Sequence, residues 1–296
     1  YRFEPSHEEV PNFGNTQSAI WCRFTLVNAS QNTCILEIEK SYIQHIEVYT
    51  PGSNGVYTKK ISGVLYPMEV REVKDNFYLF PVLPAGSDKP LDIYLRFRSD
   101  ESIGIPLTLS SLENLFNKHR MEEVLYGIFF GVMFVMFVYN LFIYFTIQEK
   151  AYLFYSLHLI TVMALNDIML VGMGFEFLWP SYPQINFYVN ALTGVVGILM
   201  ILFSVTFLNT RQYAPVLHKG FYFFIVLNIA VIILNISGDY YISSLACQVT
   251  AFILCVYLII TGFVAYKNGL RIARFYIGAW GIYFACGIIL ILYINA

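Results

Sequence analysis

Residues 124–147 read VLYGIFFGVMFVMFVYNLFIYFTI, and none of these 24 positions carries a charge. Wound at about 1.5 Å per residue, such a run covers the ~30 Å hydrocarbon core of a bilayer. Backbone N–H and C=O groups find no water there, so the run has to be helical. Five more apolar segments follow, at Tyr152 to Phe175, Asn186 to Leu208, Gly220 to Ser237, Ile242 to Tyr266 and Phe275 to Ile294. The sequence therefore predicts an all-α polytopic membrane bundle over 124–296, with six helices present. Six crossings return the chain to the side it entered from, so a seventh helix and a cytoplasmic output domain are expected beyond Ala296.

Upstream of Val124 the solvent changes. Of the 18 Lys and Arg, 12 lie before Val124, as do 16 of the 20 Asp and Glu. Leu91, Ile93, Leu95 and Phe97 alternate with Asp92, Tyr94, Arg96 and Arg98, the period of a strand with one buried and one wet face. Cys22, Phe24 and Leu26 alternate with Arg23 and Thr25, and Leu36 and Ile38 with Glu37 and Glu39, across a polar turn at Asn28 to Asn32. A hairpin is expected there. In such a hairpin Cys22 lies nearer Ile38 than Cys34, which argues against a mutual disulfide. Further short runs at Ile43 to Tyr49, Phe77 to Val82 and Pro106 to Leu112, punctuated by Pro51-Gly52-Ser53-Asn54-Gly55 and Pro84-Ala85-Gly86, complete a β-sandwich pattern, jelly-roll-like, over residues 1–112. Residues 113–123 turn polar and read as a helical juxtamembrane linker. The chain starts at Tyr1 rather than Met, which implies a signal peptide removed or left out of the sequence.

Lys and Arg near helix ends stay on the cytoplasmic side. Lys150, then Arg211 and Lys219, then Lys267, Arg271 and Arg274 occupy alternate connections, whereas Glu176 to Ile185 and Gly238 to Tyr241 hold none. The β domain is thereby expected outside. Trp179, Tyr182, Tyr188, Tyr240 and Tyr241 fit an outer interfacial belt.

Several function classes drop out. With a net charge of −2 and no basic run, nucleic acid is not an expected partner. Gly-x-Ser-x-Gly and His-Glu-x-x-His signatures are missing, as is a pair of intramembrane aspartates, so no catalytic residue is assigned. No lysine lies within a helix to carry a Schiff base. Cys247, Cys255 and Cys286 read as small hydrophobes in helices, and neither a metal nor a cofactor is expected.

The polar residues left over are the candidates. Asp167 is the one acid well inside a predicted helix, where a carboxyl costs at least ~2.5 kcal/mol. It lies at a depth comparable with Asn190, beside Asn166, and reads either as a polar lock or proton-sensitive switch, or as a neutral acid that fixes packing. Asn140 and His158 sit equally far from the first cytoplasmic turn and invite a hydrogen bond between the first two helices. Gly127 and Gly131, Gly172 and Gly174, Gly194 and Gly197, and Gly278 and Gly281 offer surfaces for close helix contact, within one chain or in a homodimer. In the outer domain Trp21 and Arg23 oppose Cys22 and Phe24, and Tyr94 and Arg96 oppose Leu95 and Phe97. An aromatic ring beside guanidinium donors suits a small polar ligand such as a sugar or a carboxylate; an ordinary solvated sheet face is the alternative.

Particular residues carry a resemblance: Trp21-x-Arg23-Phe24-x-Leu26-x-Asn28, then Gly63, Pro67 and Arg71, then Leu95-Arg96-Phe97-x-Ser99. Tyr126-Gly127-x-x-x-Gly131, Tyr139-Asn140, Tyr152 and Tyr155 add to it. The chain resembles the bacterial seven-transmembrane receptors with diverse intracellular signalling modules, with the second type of their extracytoplasmic domain at the N-terminus. The resemblance implies a periplasmic jelly roll that binds carbohydrate or another small ligand, a helical domain, and an effector in cis such as a histidine kinase, diguanylate cyclase or phosphatase. Arg71, from the same motifs, joins Trp21, Arg23, Tyr94 and Arg96 as an expected ligand-binding residue. A transporter or channel with a substrate-capturing outer domain is the rival reading, disfavoured by the single intramembrane acid and by helices without the breaks of such sites.

Overall fold

The computed structural model describes residues 3–16, 18–28, 33–40, 43–52, 55–75, 77–83, 87–100, 102–168 and 180–283. They form two compact units, one of Tyr1–Gly127 with Asp167–Asn186, the other of Ile128–Asn166 with Phe187–Ala296.

Among its described residues the first unit holds nine strands: β1 (Asn12–Asn15), β2 (Ile20–Asn28), β3 (Cys34–Ile38), β4 (His45–Pro51), β5 (Tyr57–Ser62), β6 (Tyr78–Leu83), β7 (Ser87–Arg98), β8 (Ser102–Gly104) and β9 (Leu107–Ser111). They make an antiparallel four-stranded sheet ordered β2-β7-β4-β5, a three-stranded sheet β6-β3-β9 and a short β1-β8 ladder. Alternation in β7 sends Ile93, Leu95 and Phe97 inward, where they meet Ile46 and Val48 of β4 and Leu36, Ile38, Tyr78, Phe80 and Val82 of the second sheet. These two apolar faces form a β-sandwich core. The expected β2–β3 hairpin is corrected by the pairing: β2 lies against β7, and β3 between β6 and β9. Strand β3 is buried on both faces, so it needs a central place with neighbours on either side, which an outer hairpin with β2 does not offer. Cys22 and Cys34 are both free thiols.

The second face of β3 is covered by a helix. Helix α1 (Leu112–Ile147) runs unbroken through the stretch expected as a linker. Its start is capped by Ser111, whose Oγ accepts the Asn114 N–H at 3.4 Å. Leu115, Lys118, His119 and Glu122 follow at helical spacing and share one side. Leu115 packs onto Ile35 and Leu79, with Val73 and Phe77 around them. The first three turns are thus a layer of the β domain, and the uncharged 24 residues beyond them form the membrane-spanning part. Within the same unit, Met68 N–H donates to Pro180 O at 3.0 Å and Ser181 Oγ donates to Glu69 Oε1 at 3.0 Å.

The second unit contains α2 (Lys150–Asn166), α3 (Val189–Phe207), the single turn α4 (Thr210–Tyr213), α5 (Pro215–Ile236), α6 (Tyr240–Lys267) and helical residues 273–283, α7. Among the described residues, four helices are long and apolar enough to cross a membrane: Leu112–Ile147, Ile185–Phe207, Pro215–Ile236 and Tyr240–Lys267. The expected outer end of the second span and much of the sixth lie outside the described residues. Helix α3 is the hub, against α2, α5 and α6. Met200, Ile201, Phe221, Phe224, Leu254, Leu258, Tyr276 and Trp280 form the apolar centre. Gly194 and Gly197 set the α3–α5 spacing, since a Cβ there would fall 2.7 Å from Ile232 and 2.3 Å from Asn228.

Leu115→Ala should remove the apolar anchor between α1 and the sandwich at a cost of roughly 2–4 kcal/mol. Thermal unfolding of the detergent-solubilised chain checks this, with a lower midpoint for the β domain as the expected outcome.

Candidate functional site

The outward residues of the four-stranded sheet are arranged by register. Arg96 on β7 stands between Trp21 on β2 and Glu47 on β4, and in the next row Tyr94 stands between Arg23 and Tyr49, with Lys59 on β5 beyond. Four of the five residues expected to bind ligand, Trp21, Arg23, Tyr94 and Arg96, therefore share one face. Their neighbours Glu47, Tyr49 and Lys59 went unassigned in the sequence, although alternation in His45-Ile46-Glu47-Val48-Tyr49 carried the signal.

Glu47 is the electrostatic centre of this face. It is only 5% exposed. Its Oε1 meets Lys59 Nζ at 2.6 Å, His45 Nε2 at 2.9 Å and Arg96 Nη1 at 3.5 Å, and its Oε2 accepts the Tyr49 hydroxyl at 2.7 Å. Burial works against the ionised carboxylate, but the hydrogen bonds from Lys59, His45 and Tyr49 outweigh it and lower its pKa to about 2. Over this cluster Trp21 stacks on Tyr49, ring centroids 5.7 Å apart and 24° between planes, and the Arg96 guanidinium lies 6.0 Å from the indole. Arg23 leans towards Asp92 at 3.5 Å, and Thr25 donates to the same carboxylate. Tyr94 lies between Phe3 and Tyr57.

Four cations, Arg23, Lys59, Arg96 and Arg98, share this face with two carboxylates, Glu47 and Asp92. Arg96 reaches Glu47 through one nitrogen at a distance beyond a good charge-assisted bond, so its fork keeps donor capacity. Indole, phenol and guanidinium groups held side by side can stack on a ring and donate to hydroxyl or carboxylate oxygens. Arg71 is not brought to this face. It is 7% exposed, lies 4.6 Å over the Tyr78 ring and donates to Asp75 O.

The intramembrane candidates separate. Asn190 donates to Ser243 Oγ on α6 at 3.2 Å, and neighbouring Asn235 accepts the Ala191 N–H and donates to Phe187 O. Asp167 directly follows α2. The expected bond between Asn140 and His158 is corrected: Asn140 donates to Met136 O in its own helix at 2.8 Å, and His158 turns to the Val196 backbone on α3, with its ring 5.9 Å from Trp280. The reason is rotational, because the hub helix α3 and not α1 covers that side of α2. Among the described residues no group of three or more His, Cys, Asp or Glu side chains is placed to hold a metal.

A carboxylate whose pKa falls on folding contributes stability that is complete above its ordinary 4.5 and is lost as pH drops towards about 2. Glu47→Gln should remove that acid-limb contribution and cost about 1–2 kcal/mol at neutral pH, since the partly exposed Lys59 and Arg96 can turn to water. Unfolding midpoints of both chains from pH 7 down to pH 2 provide the check.

No curated protein matches the sequence. Two family models do. One described as "7TMR-DISM extracellular 2" matches residues 1–111, the sandwich up to the cap of α1, and one described as "7TM diverse intracellular signalling" matches residues 122–296. Neither describes a catalytic domain. With the second match alone spanning more than half of the chain, this multi-pass membrane protein belongs to the seven-transmembrane family of diverse intracellular signalling receptors.

Proposed function

We propose that the chain is the sensing part of a bacterial inner-membrane receptor, whose periplasmic β domain binds a small polar ligand of the carbohydrate class on the Trp21–Arg96–Glu47 face and whose helices relay occupancy to a cytoplasmic effector in cis. The observation that carries this reading is the face itself, where a stacked indole–phenol pair and partly exposed cations surround a carboxylate that is already neutralised. A sugar ring can lie on the aromatic surface while its hydroxyl or uronate oxygens take up the donors of Arg96, Lys59 and Arg23. Lys and Arg at alternate connections support the orientation.

For occupancy to become a signal, the ligand has to favour one of two arrangements of the protein. Two covalently continuous or hydrogen-bonded routes leave the sandwich: helix α1, docked through Leu115, and the Pro180–Ser181 segment, held by Met68 and Glu69. A ligand that drew β2, β7 and β4 together would be felt across the shared core by β3 and β6, on which α1 rests.

Calorimetry of the full chain in nanodiscs against neutral and uronate-containing cell-wall oligosaccharides tests the reading. Binding is expected, and Arg96→Ala should weaken it about tenfold to a hundredfold, the worth of one charge-assisted hydrogen bond. Binding that is indifferent to Arg96→Ala and Trp21→Ala would contradict the assignment of the face.

A further inference from the structure

On the other side of the sandwich, away from the proposed ligand face, a second charged cluster joins β3, the loop before β6 and the start of α1. Glu37 has no solvent exposure at all. Its Oε1 meets His119 Nε2 at 2.7 Å and its Oε2 meets Lys118 Nζ at 3.1 Å. Lys118 also bonds Glu39, which accepts the Thr108 hydroxyl at 2.9 Å. The second nitrogen of His119, Nδ1, faces Asp75 Oδ2 at 3.2 Å, while Asp75 Oδ1 accepts the Phe77 N–H at 3.0 Å.

A neutral imidazole has one N–H and one lone pair, so it can donate to only one of two carboxylates. With carboxylate oxygens at both nitrogens, the ring satisfies the geometry only as the imidazolium, which donates to each. We propose that His119 is a proton-operated latch: its imidazolium clamps the first turns of α1 to both β3 and the loop at Asp75, and loss of the proton frees the Asp75 side, so that the hold of the β domain on the start of α1 depends on the pH around it. This goes beyond ligand sensing and does not rest on it, because the latch and the ligand face lie on different sheets.

The surrounding charges set the direction. Facing His119 are Glu37 from β3, Glu39 just beyond that strand, Asp75 from the loop, and Lys118 and Glu122 from α1 itself; Arg71 donates to the Asp75 backbone carbonyl, and the Phe77 ring lies 5.5 Å away. Four acids against one lysine favour the extra proton. Burial alone would drive the proton off His119, but the bond to Glu37 and the field of Asp75 reverse this and raise its affinity above that of a free histidine. A group whose pKa is raised in the docked state contributes docking energy that is complete below its ordinary 6.5 and is lost as pH rises through the docked value. The latch is therefore closed below the ordinary histidine value and loosens as pH rises through the raised one. The retained proton sits on Nε2 against buried Glu37, where desolvation makes an unpaired carboxylate most costly, which leaves the Nδ1 lone pair to repel Asp75.

The test uses the full chain in nanodiscs, its five cysteines replaced by serine, with spin labels introduced through Lys74→Cys and Arg120→Cys, both solvent-exposed positions. Distance distributions are measured at pH 6 and pH 9. A single short population at pH 6, joined by a longer one at pH 9, is expected. His119→Gln should show the longer population at both values, and His119→Arg, a permanent cation, should keep the short one at pH 9. A wild-type distribution that does not change with pH overturns the proposal, as does a change that persists in His119→Gln. Should the glutamine variant fail to fold, pH-switching that survives in His119→Arg overturns it equally.

Discussion

Glu37 is a carboxylate without solvent, and a charge in that position has to be met by cations. The cations that meet it, Lys118 and His119, stand on the helix that continues into the apolar span. Much of the β domain's architecture follows from this pairing. Because β3 carries core residues on one face and Glu37, with Ile35 beside it, on the other, it has to be both the centre of its sheet and the bed of α1. The helix accordingly starts within the β domain.

Two kinds of charge burial coexist in the sandwich, and they differ in what they hold. Glu47, under Trp21 and Tyr49, is gripped by four donors from β4, β5 and β7, all within one sheet; its neutralisation stabilises a surface and leaves the guanidinium of Arg96 with spare donor capacity. Glu37 is gripped from another element altogether. The first arrangement builds a platform, the second a joint. In the helical unit the corresponding work is done by neutral groups, with Asn190, Asn235 and Ser243 tying α3, α5 and α6 together near one end and Ser204 with Tyr276 tying α3 to α7. Neutral hydrogen bonds avoid the cost of ions in lipid.

The alternation of Leu91 to Phe97 identified β7 and, with it, the shared face of Tyr94 and Arg96; the apolar run at 124–147 identified the first span. Pairing was harder. Strand β2 was expected beside β3 because they are neighbours in the chain, yet β2 found β7, whose inward Leu95 and Ile93 match Cys22 and Phe24 in register. Strand β5 escaped notice because Tyr57-Thr-Lys-Lys-Ile-Ser is an edge strand with little to bury. Residues 113–123 read as a polar linker, since the partner that gives Lys118 and His119 their purpose lies about 80 positions upstream and no local pattern announces it. Arg71 was grouped with the ligand residues through the family resemblance alone, and it belongs spatially to the Tyr78 and Asp75 neighbourhood.

Signalling through α1 requires one uninterrupted helix from the turns docked on β3 into the apolar run, and amide hydrogen exchange of the full chain in lipid nanodiscs tests this most directly. Continuous slow exchange from Leu115 through Gly127 is the result the structure predicts. A fast-exchanging break anywhere between Arg120 and Val124 would show two helices hinged at the membrane surface, and α1 could not then carry a conformational change inward.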